Sequence, residues 1–216
     1  MVPHDAAKRM NRMYRRQRYI YDATRRYFLL GRSALIHGLC PPEGGTVLEI
    51  GCGTGWNLTR AASAYPDATL FGFDVSTVML ETARHNIAKS GYDRRISLAQ
   101  ADAVTFSGQE TFGRPSFDRI YAAYTLSMIP QWQQVVERAL DHIGPRGSFH
   151  VLDFGPASGL PAFARAGMHA WLNLFDVVPR RTLSKDLARM AAQHGLGLFH
   201  TELHRGYAQY AVLSRS

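Results

Sequence analysis

A short apolar run that ends in three closely spaced glycines constrains the fold of this chain more than any other feature. Residues 47–55 read Val-Leu-Glu-Ile-Gly-Cys-Gly-Thr-Gly, and an amphipathic stretch follows over residues 58–65. Glycine allows positive φ and lets a ligand approach the main chain without meeting a Cβ atom. A helix that begins after such a loop directs free N–H groups at an anionic ligand. The pattern therefore predicts a buried strand, a tight ligand-binding loop and a helix.

Two common nucleotide-binding loops do not fit the spacing of these glycines. The dinucleotide fingerprint has glycine at its first, third and sixth positions, whereas the sixth position here is Trp56. A phosphate-binding P-loop ends in Gly-Lys-Ser or Gly-Lys-Thr, and no lysine lies nearby. The run Glu-x-Gly-x-Gly-x-Gly after a strand resembles motif I of the class I S-adenosylmethionine (AdoMet) methyltransferases. That resemblance implies AdoMet as the cofactor and S-adenosylhomocysteine as the product.

The composition favours a soluble protein with one core. The chain has 216 residues, of which 46% are hydrophobic, and no apolar run approaches the roughly 18–20 residues that span a bilayer. The first residues lack the apolar core of a signal peptide, so a cytoplasmic protein is expected. The two cysteines, Cys40 and Cys52, give no disulfide framework, and no metal site is expected.

Segments typical of strands and helices alternate over residues 46–153, and the fifth strand is predicted at residues 148–153. This alternation predicts an α/β fold with a parallel sheet covered on both faces. Two further strands are predicted at residues 198–203 and 207–213, and the link between them is too short for a crossover helix, so they should be antiparallel. A mostly parallel sheet that ends in such a hairpin resembles the three-layer, Rossmann-like class I methyltransferase fold. The resemblance implies strand order 3-2-1-4-5-7-6, with strand 7 antiparallel.

The predicted cofactor site follows the carboxyl ends of the parallel strands, where ligands bind in open α/β sheets. Asp74 ends the second strand, at about the separation from the glycines at which an acidic side chain reaches a ribose hydroxyl. By resemblance, Asp102 would accept a hydrogen bond from the adenine amino group, and the N–H of Ala103 would donate to a ring nitrogen. The predicted cofactor contacts are Tyr14, Tyr21, Glu49, Gly51, Cys52, Gly53, Gly55, Asp74, Val75, Met79, Asp102, Ala103, Ala123 and Tyr124.

The N-terminal part of the chain is strongly basic. The net charge is +8, and residues 1–36 contain nine basic side chains: Lys8, Arg9, Arg12, Arg15, Arg16, Arg18, Arg25, Arg26 and Arg32. Helices are predicted over residues 5–18 and 22–39, and a basic helix with an apolar and aromatic stripe is typical of an anionic membrane surface. The alternative is a solvated helix that caps the domain. Nucleic acid is not an expected partner, because no base-stacking motif accompanies the charge.

Two N-terminal tyrosines resemble part of a lid over the cofactor. Tyr14, followed after six residues by Tyr21 and Asp22, resembles the lid of ubiquinone/menaquinone-type methyltransferases, where aromatic faces suit the sulfonium cation. Aromatic packing of a cap helix is the alternative. Residues 1–40 are therefore predicted to form a helical lid and membrane-contact segment, and residues 41–216 the AdoMet-binding methyltransferase part of a single domain.

Nearly the whole chain resembles the bacterial diacylglyceryl-homoserine N-methyltransferases, most specifically in residues 12–32, 126–132 and 151–155. The resemblance implies three methylations of the homoserine amine, which give the betaine lipid diacylglyceryl-N,N,N-trimethylhomoserine. A diacylglyceryl lipid would then be the substrate, and the protein would lie peripherally on the inner face of the cytoplasmic membrane. Competing hypotheses are methylation of phosphatidylethanolamine to phosphatidylcholine, C-methylation of a quinone ring, and a non-catalytic AdoMet-binding sensor or membrane adaptor.

The amine chemistry needs no strong base, since a free α-amine titrates near 7.7–8.0. The growing ammonium group instead requires aromatic or acidic neighbours, and an arginine fork would suit the substrate carboxylate. The catalytic candidates are Tyr14, Tyr21, Tyr124 and Asp153. The substrate-binding candidates are Arg32, Ser127, Met128, Trp171, Arg180 and Arg181.

Overall fold

Seven strands in one sheet form the centre of the structure. The computed structural model describes residues 29–173, 177–180 and 182–215. The predicted helix over residues 5–18 and three candidate site residues, Tyr14, Tyr21 and Arg181, lie outside these ranges. The strands are β1 (Thr46–Ile50), β2 (Thr69–Asp74), β3 (Ile96–Gln100), β4 (Phe117–Ala123), β5 (Ile143–Phe154), β6 (Gly197–Leu203) and β7 (Ala208–Ser214).

The strand order is β3-β2-β1-β4-β5-β7-β6. Strands β1 to β5 are parallel to one another, whereas β7 runs antiparallel to both β5 and β6. The predicted order and the antiparallel position of the seventh strand are confirmed. As a result, the carboxyl ends of β1, β2 and β4 meet at one edge of the sheet, which is called the carboxyl edge below.

Helices cover both faces of the sheet and bury two separate cores. The helices are α1 (Arg32–Leu39), α2 (Trp56–Ala64), α3 (Thr77–Lys89), α4 (Gly108–Phe112), α5 (Trp132–Asp141), α6 (Ala162–Asn173) and α7 (Leu183–Gln193), with a 3₁₀ helix at Leu126–Met128. Buried side chains from α1, α2, α3 and α6 share one core. Those from α5 and α7 belong to the core on the opposite face. This is the three-layer arrangement expected for a parallel sheet.

Three segments differ from the sequence-based expectation. Within the described residues, the helix predicted over residues 22–39 begins only at Arg32, because residues 29–31 are not helical and Gly31 has φ +81°. Strand β5 begins at Ile143, five residues before the predicted start at Ser148, because the chain stays paired with β4 through a bulge. Helix α4 was not predicted. It has only five residues, and it is bounded by Ser107, whose Oγ accepts the N–H of Glu110, and by Gly113 at φ +67°.

Helix α1 is fixed to the sheet at its C-terminal end, where backbone carbonyls lack helical partners. The guanidinium of Arg119 on β4 donates to the Cys40 carbonyl at 2.7 Å. The Tyr65 hydroxyl donates to the Ile36 carbonyl at 2.7 Å. These contacts set the direction of α1, so that the residues before it lie near the carboxyl edge. Within the described ranges, no helix is long and apolar enough to cross a bilayer.

Candidate functional site

The loop of residues 51–55, called the glycine loop below, joins β1 to α2 at the carboxyl edge. Gly51, Gly53 and Gly55 have φ of +69°, +52° and +74°, which glycine adopts without steric cost. The N–H of Cys52 donates to the Phe73 carbonyl at 2.9 Å and so holds the loop against the end of β2. The strand, loop and helix predicted from the sequence are therefore present.

The loop also needs glycine because it packs closely on the end of β4. A Cβ atom on Gly51 would lie 2.6 Å from Cγ2 of Thr125, closer than real Cβ contacts occur. Thr125 is itself held in place, since its Oγ1 donates to the Ile50 carbonyl at 3.1 Å. The glycine loop and the segment after β4 therefore form one closely packed unit.

Asp74 lies at the end of β2 beside the glycine loop, as predicted. It is buried, its Oδ2 accepts the Gly53 N–H at 2.9 Å, and its Oδ1 accepts the Ser76 N–H at 2.9 Å. These bonds orient the carboxylate at the place where the ribose contact is expected. The ribose contact itself stays a prediction.

Asp102 and Ala103 follow β3 at the same edge. Oδ1 of Asp102 accepts the Val104 N–H at 2.9 Å, which closes a small turn, and Ala103 is buried. The backbone of this loop is joined to β2, because the Ala101 N–H donates to the Asp74 carbonyl at 3.2 Å. The predicted ribose and adenine contacts are thus neighbours in the fold.

Two other predicted cofactor contacts lie where β2 passes into α3. The carbonyl of Val75 accepts a hydrogen bond from the Gln100 side chain at 3.1 Å. Met79 is fully buried in the core, and its N–H donates to Oγ of Ser76, the N-cap of α3. In the structure, the Met79 side chain therefore packs α3 against the core.

Glu49 is a buried carboxylate that joins three elements. Its Oε1 accepts the Asn57 Nδ2 of α2 at 2.7 Å, and its Oε2 accepts the Tyr121 hydroxyl of β4 at 3.0 Å. Burial, and then the Glu49 charge, raise the pKa of Tyr121 well above 10, so this hydroxyl stays a donor. Glu49 thus holds the start of α2 to β4 beneath the glycine loop.

Asn57 is a site residue that the sequence analysis missed. Its Oδ1 is buried and has no hydrogen-bond partner in the structure. A buried acceptor without a partner is uncommon and is explained if a ligand or a water molecule donates to it. The ammonium group in the methionine part of AdoMet is such a donor, so the residues at this end of the loop fit the predicted cofactor. The available signal was a polar residue in the first turn of an amphipathic helix.

Tyr124 directly follows Ala123 at the end of β4 and has an unusual backbone, with φ +57°. Left-handed φ in a bulky residue stores strain and is common at functional sites. The buried hydroxyl donates to the Leu30 carbonyl, which ties the segment before α1 to the carboxyl edge. Burial raises the pKa of Tyr124 well above 10, which argues against this hydroxyl as a base. Its aromatic face is the part that suits a cation.

Four aromatic residues, called the aromatic cluster below, surround the end of β5. The Phe154 ring centroid lies 4.6 Å from that of Tyr124, 6.0 Å from that of Tyr207 and 6.3 Å from that of Trp171. The sequence analysis named Tyr124 and Trp171 but missed Phe154 and Tyr207. These rings come from the segment after β4, from β5, from α6 and from the β6–β7 turn, so only the fold brings them together.

Asp153 lies next to this cluster and is completely buried. Its Oδ2 accepts the Ser127 N–H at 2.9 Å, and its Oδ1 accepts the Phe154 N–H at 2.8 Å. Burial raises the pKa of Asp153 above its ordinary value, and the hydrogen bonds from Ser127 and Phe154 oppose that rise. The carboxyl group therefore anchors the 3₁₀ helix, in which Ser127 is buried and Met128 half-buried.

Two predicted substrate-binding arginines contact the protein main chain. The Arg180 guanidinium donates to the Leu126 carbonyl at 3.1 Å and the Ile129 carbonyl at 2.8 Å, so it holds the 3₁₀ helix. Arg32 is buried, and its guanidinium donates to the Leu29 carbonyl at 3.1 Å. Its Cζ lies 3.9 Å from the centroid of the Trp56 ring. Substrate binding by either residue stays a prediction. Within the described ranges, no group of His, Cys, Asp and Glu could hold a metal ion.

Comparison with known proteins identifies the class of this site. A family model described as a methyltransferase domain matches residues 47–147, which include the glycine loop, Asp74 and Asp102. The chain has the class I methyltransferase fold, and its residues 47–147 are similar to a methyltransferase domain. AdoMet is the cofactor of the methyltransferase domain, in agreement with the glycine loop and the acceptor on Asn57.

Relatives of the methyltransferase domain act on different substrates. A trans-aconitate 2-methyltransferase of Deinococcus radiodurans is 31% identical over 107 residues, 49% of this chain and 36% of that protein. A demethylmenaquinone methyltransferase of Desulfitobacterium hafniense is 29% identical over 137 residues, 63% of this chain and 51% of that protein. The chain spans between 30% and 51% of the length of these and similar curated relatives.

Solved structures share the fold of the methyltransferase domain at low identity. Phosphoethanolamine N-methyltransferase 2 of Haemonchus contortus, in complex with S-adenosyl-L-methionine, aligns with a TM-score of 0.64 and 21% identity, over 80% of this chain and 38% of that one. An O-methyltransferase family protein of Burkholderia thailandensis aligns with a TM-score of 0.69 and 18% identity, over 91% and 58% of the two chains.

Proposed function

We propose that this chain is an AdoMet-dependent N-methyltransferase that methylates the amine of diacylglyceryl-homoserine three times to give diacylglyceryl-N,N,N-trimethylhomoserine. The observation that carries the proposal is the aromatic cluster beside the buried Asp153 at the carboxyl edge. Aromatic faces attract cations, with contributions of about 0.5–2 kcal/mol each. This environment suits an amine that becomes a quaternary ammonium group.

Methyl transfer to an amine is a direct displacement, so the protein mainly aligns the reacting atoms and excludes water. When bound, AdoMet supplies the activated methyl group. Glu49 and Asn57 hold the glycine loop, Asp74 orients the ribose end, and the aromatic cluster receives the amine. The ammonium form loses one proton to solvent before each of the three transfers, and the pKa of a free α-amine near 7.7–8.0 makes a dedicated base unnecessary.

An anionic membrane surface is proposed as the partner of the basic N-terminal segment, with the protein on the inner face of the cytoplasmic membrane. Leu29 and Leu30, which follow that segment, lie at the carboxyl edge, where Leu30 accepts the Tyr124 hydroxyl and Leu29 is buried. A segment that joins the domain there can carry Tyr14 and Tyr21 toward the cofactor. This supports the lid hypothesis.

The function is tested with purified protein, labelled AdoMet and vesicles that contain one candidate lipid at a time. The expected result is successive label in the mono-, di- and trimethyl forms of diacylglyceryl-homoserine. Label in phosphatidylcholine alone, from phosphatidylethanolamine, would overturn the proposed substrate. Calorimetric AdoMet binding without product on any lipid would indicate a sensor or adaptor instead.

The role of the aromatic cluster is tested by Phe154→Leu, which keeps an apolar side chain but removes the aromatic face. We expect the third transfer to slow by about twofold to thirtyfold, the range that one cation–π contact allows, so that the dimethyl product accumulates. AdoMet affinity should not change. Phe199→Leu, at an exposed phenylalanine of β6, is the matched control. Equal product ratios in both variants would contradict the assigned role.

A further inference from the structure

The outer face of helix α6 is apolar although it is exposed. Its exposed residues Ala162, Phe163, Ala166, Gly167 and Ala170 recur at helical spacing and form one continuous stripe. Phe163 is 81% exposed, more than any other large hydrophobic side chain in the described ranges. A surface helix normally presents polar residues to water. An apolar outer stripe therefore indicates a surface that meets something other than water.

The inner face of α6 is already packed, so the outer stripe is not a second core. Met168 and Leu172 are buried in the same core as α1 and α2. Trp171 packs edge-on against Phe154 of the aromatic cluster. The helix is thus attached at the carboxyl edge, next to the site where the lipid amine is proposed to bind.

Positive charge accompanies this stripe. Residues 154–173 contain no Asp or Glu, and Arg165 on α6 is exposed. One carboxylate, that of Glu202 on β6, reaches the loop before α6, where it accepts the Ser158 hydroxyl at 3.2 Å. The β6–β7 turn places a second exposed arginine beside the loop that leads into α6, because the Gly159 N–H donates to the Arg205 carbonyl at 3.0 Å. A Cβ atom on Gly159 would lie only 2.9 Å from that of Arg205, which shows how closely the two segments pack.

An exposed aromatic side chain with arginines beside it suits insertion into an anionic lipid interface. Each arginine near such a surface contributes about 1 kcal/mol. A second copy of this chain would present the same positive charges, which disfavours self-association through this face.

We propose that the outer face of α6 is a contact surface for anionic phospholipid membranes, with Phe163 inserted among the lipids and Arg165 and Arg205 at the headgroups. This surface rests on the proposed function in one respect, because it gives the carboxyl edge access to a lipid substrate. It adds a second membrane contact to the one proposed for the basic N-terminal segment.

The test is flotation of the full chain with vesicles of phosphatidylglycerol and phosphatidylcholine that contain no amine lipid. We expect Phe163→Ser to weaken vesicle binding by about tenfold, the effect of withdrawing part of one large apolar side chain from lipid. Phe199→Ser removes an exposed phenylalanine from β6 and should bind like the unmodified protein. Replacing Arg165 and Arg205 by Gln should weaken binding mainly at low salt.

A second measurement tests directly whether the side chain at position 163 enters the bilayer. Phe163→Trp should add tryptophan emission that shifts to shorter wavelength with vesicles and is quenched by brominated lipids. Equal vesicle binding by the Phe163→Ser and Phe199→Ser proteins would overturn the proposed membrane surface. So would the absence of quenching of the added tryptophan emission. A change from dimer to monomer in Phe163→Ser, seen by sedimentation without lipid, would instead show a second copy as the occupant and also overturn it.

The design separates this proposal from the proposed function. If Phe163→Ser weakens binding to substrate-free vesicles while no lipid is methylated, the membrane surface stands and the proposed function fails. If diacylglyceryl-homoserine is methylated while Phe163→Ser binds vesicles normally, the proposed function stands and the surface fails.

Discussion

Gly51→Ala tests whether the glycine loop and the segment after β4 form one packed unit. At φ +69° an alanine costs about 1–2 kcal/mol in backbone strain. Its Cβ would lie 2.6 Å from Cγ2 of Thr125, and crowding of that kind costs about 1–3 kcal/mol. Thr125 cannot turn away without losing its bond to the Ile50 carbonyl. We therefore expect Gly51→Ala to lower the free energy of unfolding in urea by about 2–5 kcal/mol.

Two further variants separate strain from crowding. Gly44 has φ +66° but no atom within 4 Å of an added Cβ, so Gly44→Ala should show only the strain of about 1–2 kcal/mol. Thr125→Ser keeps the hydroxyl and removes Cγ2, so adding it to Gly51→Ala should restore about 1–3 kcal/mol. Equal losses for Gly51→Ala and Gly44→Ala, or no restoration by Thr125→Ser, would refute the reasoning.

Three other changes give separate expectations. Asp74→Ala should weaken calorimetric AdoMet binding by about tenfold or more, because a charged hydrogen-bond acceptor is lost; unchanged affinity would contradict the ribose assignment. Arg180→Gln should lower the free energy of unfolding by about 1–3 kcal/mol, since the carbonyls of the 3₁₀ helix lose their donor, and Arg189→Gln, at an exposed arginine, should change it little. Burial, with the charge of Arg119, lowers the pKa of His150 from 6.5 to about 3, so the unfolded chain binds a proton that the folded chain does not. Stability should therefore fall as pH decreases from 6.5 toward 3, by up to about 1.4 kcal/mol per pH unit, and His150→Gln should remove that part of the slope in unfolding curves.

The parallel half of the sheet was predictable because local signals agree there. Strands β1 and β2 are mostly apolar runs; Gly51 follows β1, and Asp74 ends β2. Each strand is followed by an amphipathic helix. The predicted start of β5 was wrong, because the local signal there disagrees with the pairing of the strand. Residues 144–147 read Gly-Pro-Arg-Gly, which indicates a turn, but pairing with β4 carries the strand through them.

Motif spacing predicts which strand ends carry the candidate site residues, but it does not predict the partners of their side chains. Motif spacing placed Glu49 at the end of β1, but only the fold brings Tyr121, 72 residues away, to its carboxylate. The sequence predicts that Arg180 binds a substrate carboxylate. In the structure, its guanidinium group donates hydrogen bonds to backbone carbonyls. Phe154 and Tyr207 meet because β7 returns antiparallel to β5, which no local pattern reports.

The antiparallel return of β7 also decides how this protein should be attached to a sensor chip or a bead. Ser214, the last residue of β7, pairs with Ser148 near the beginning of the parallel part of β5, far along the sheet from Phe154. Leu30, by contrast, is bonded to Tyr124 at the carboxyl edge. Immobilisation through the end of β7 would leave the cofactor edge facing solution, whereas attachment at Leu30 would place the chip or bead at that edge.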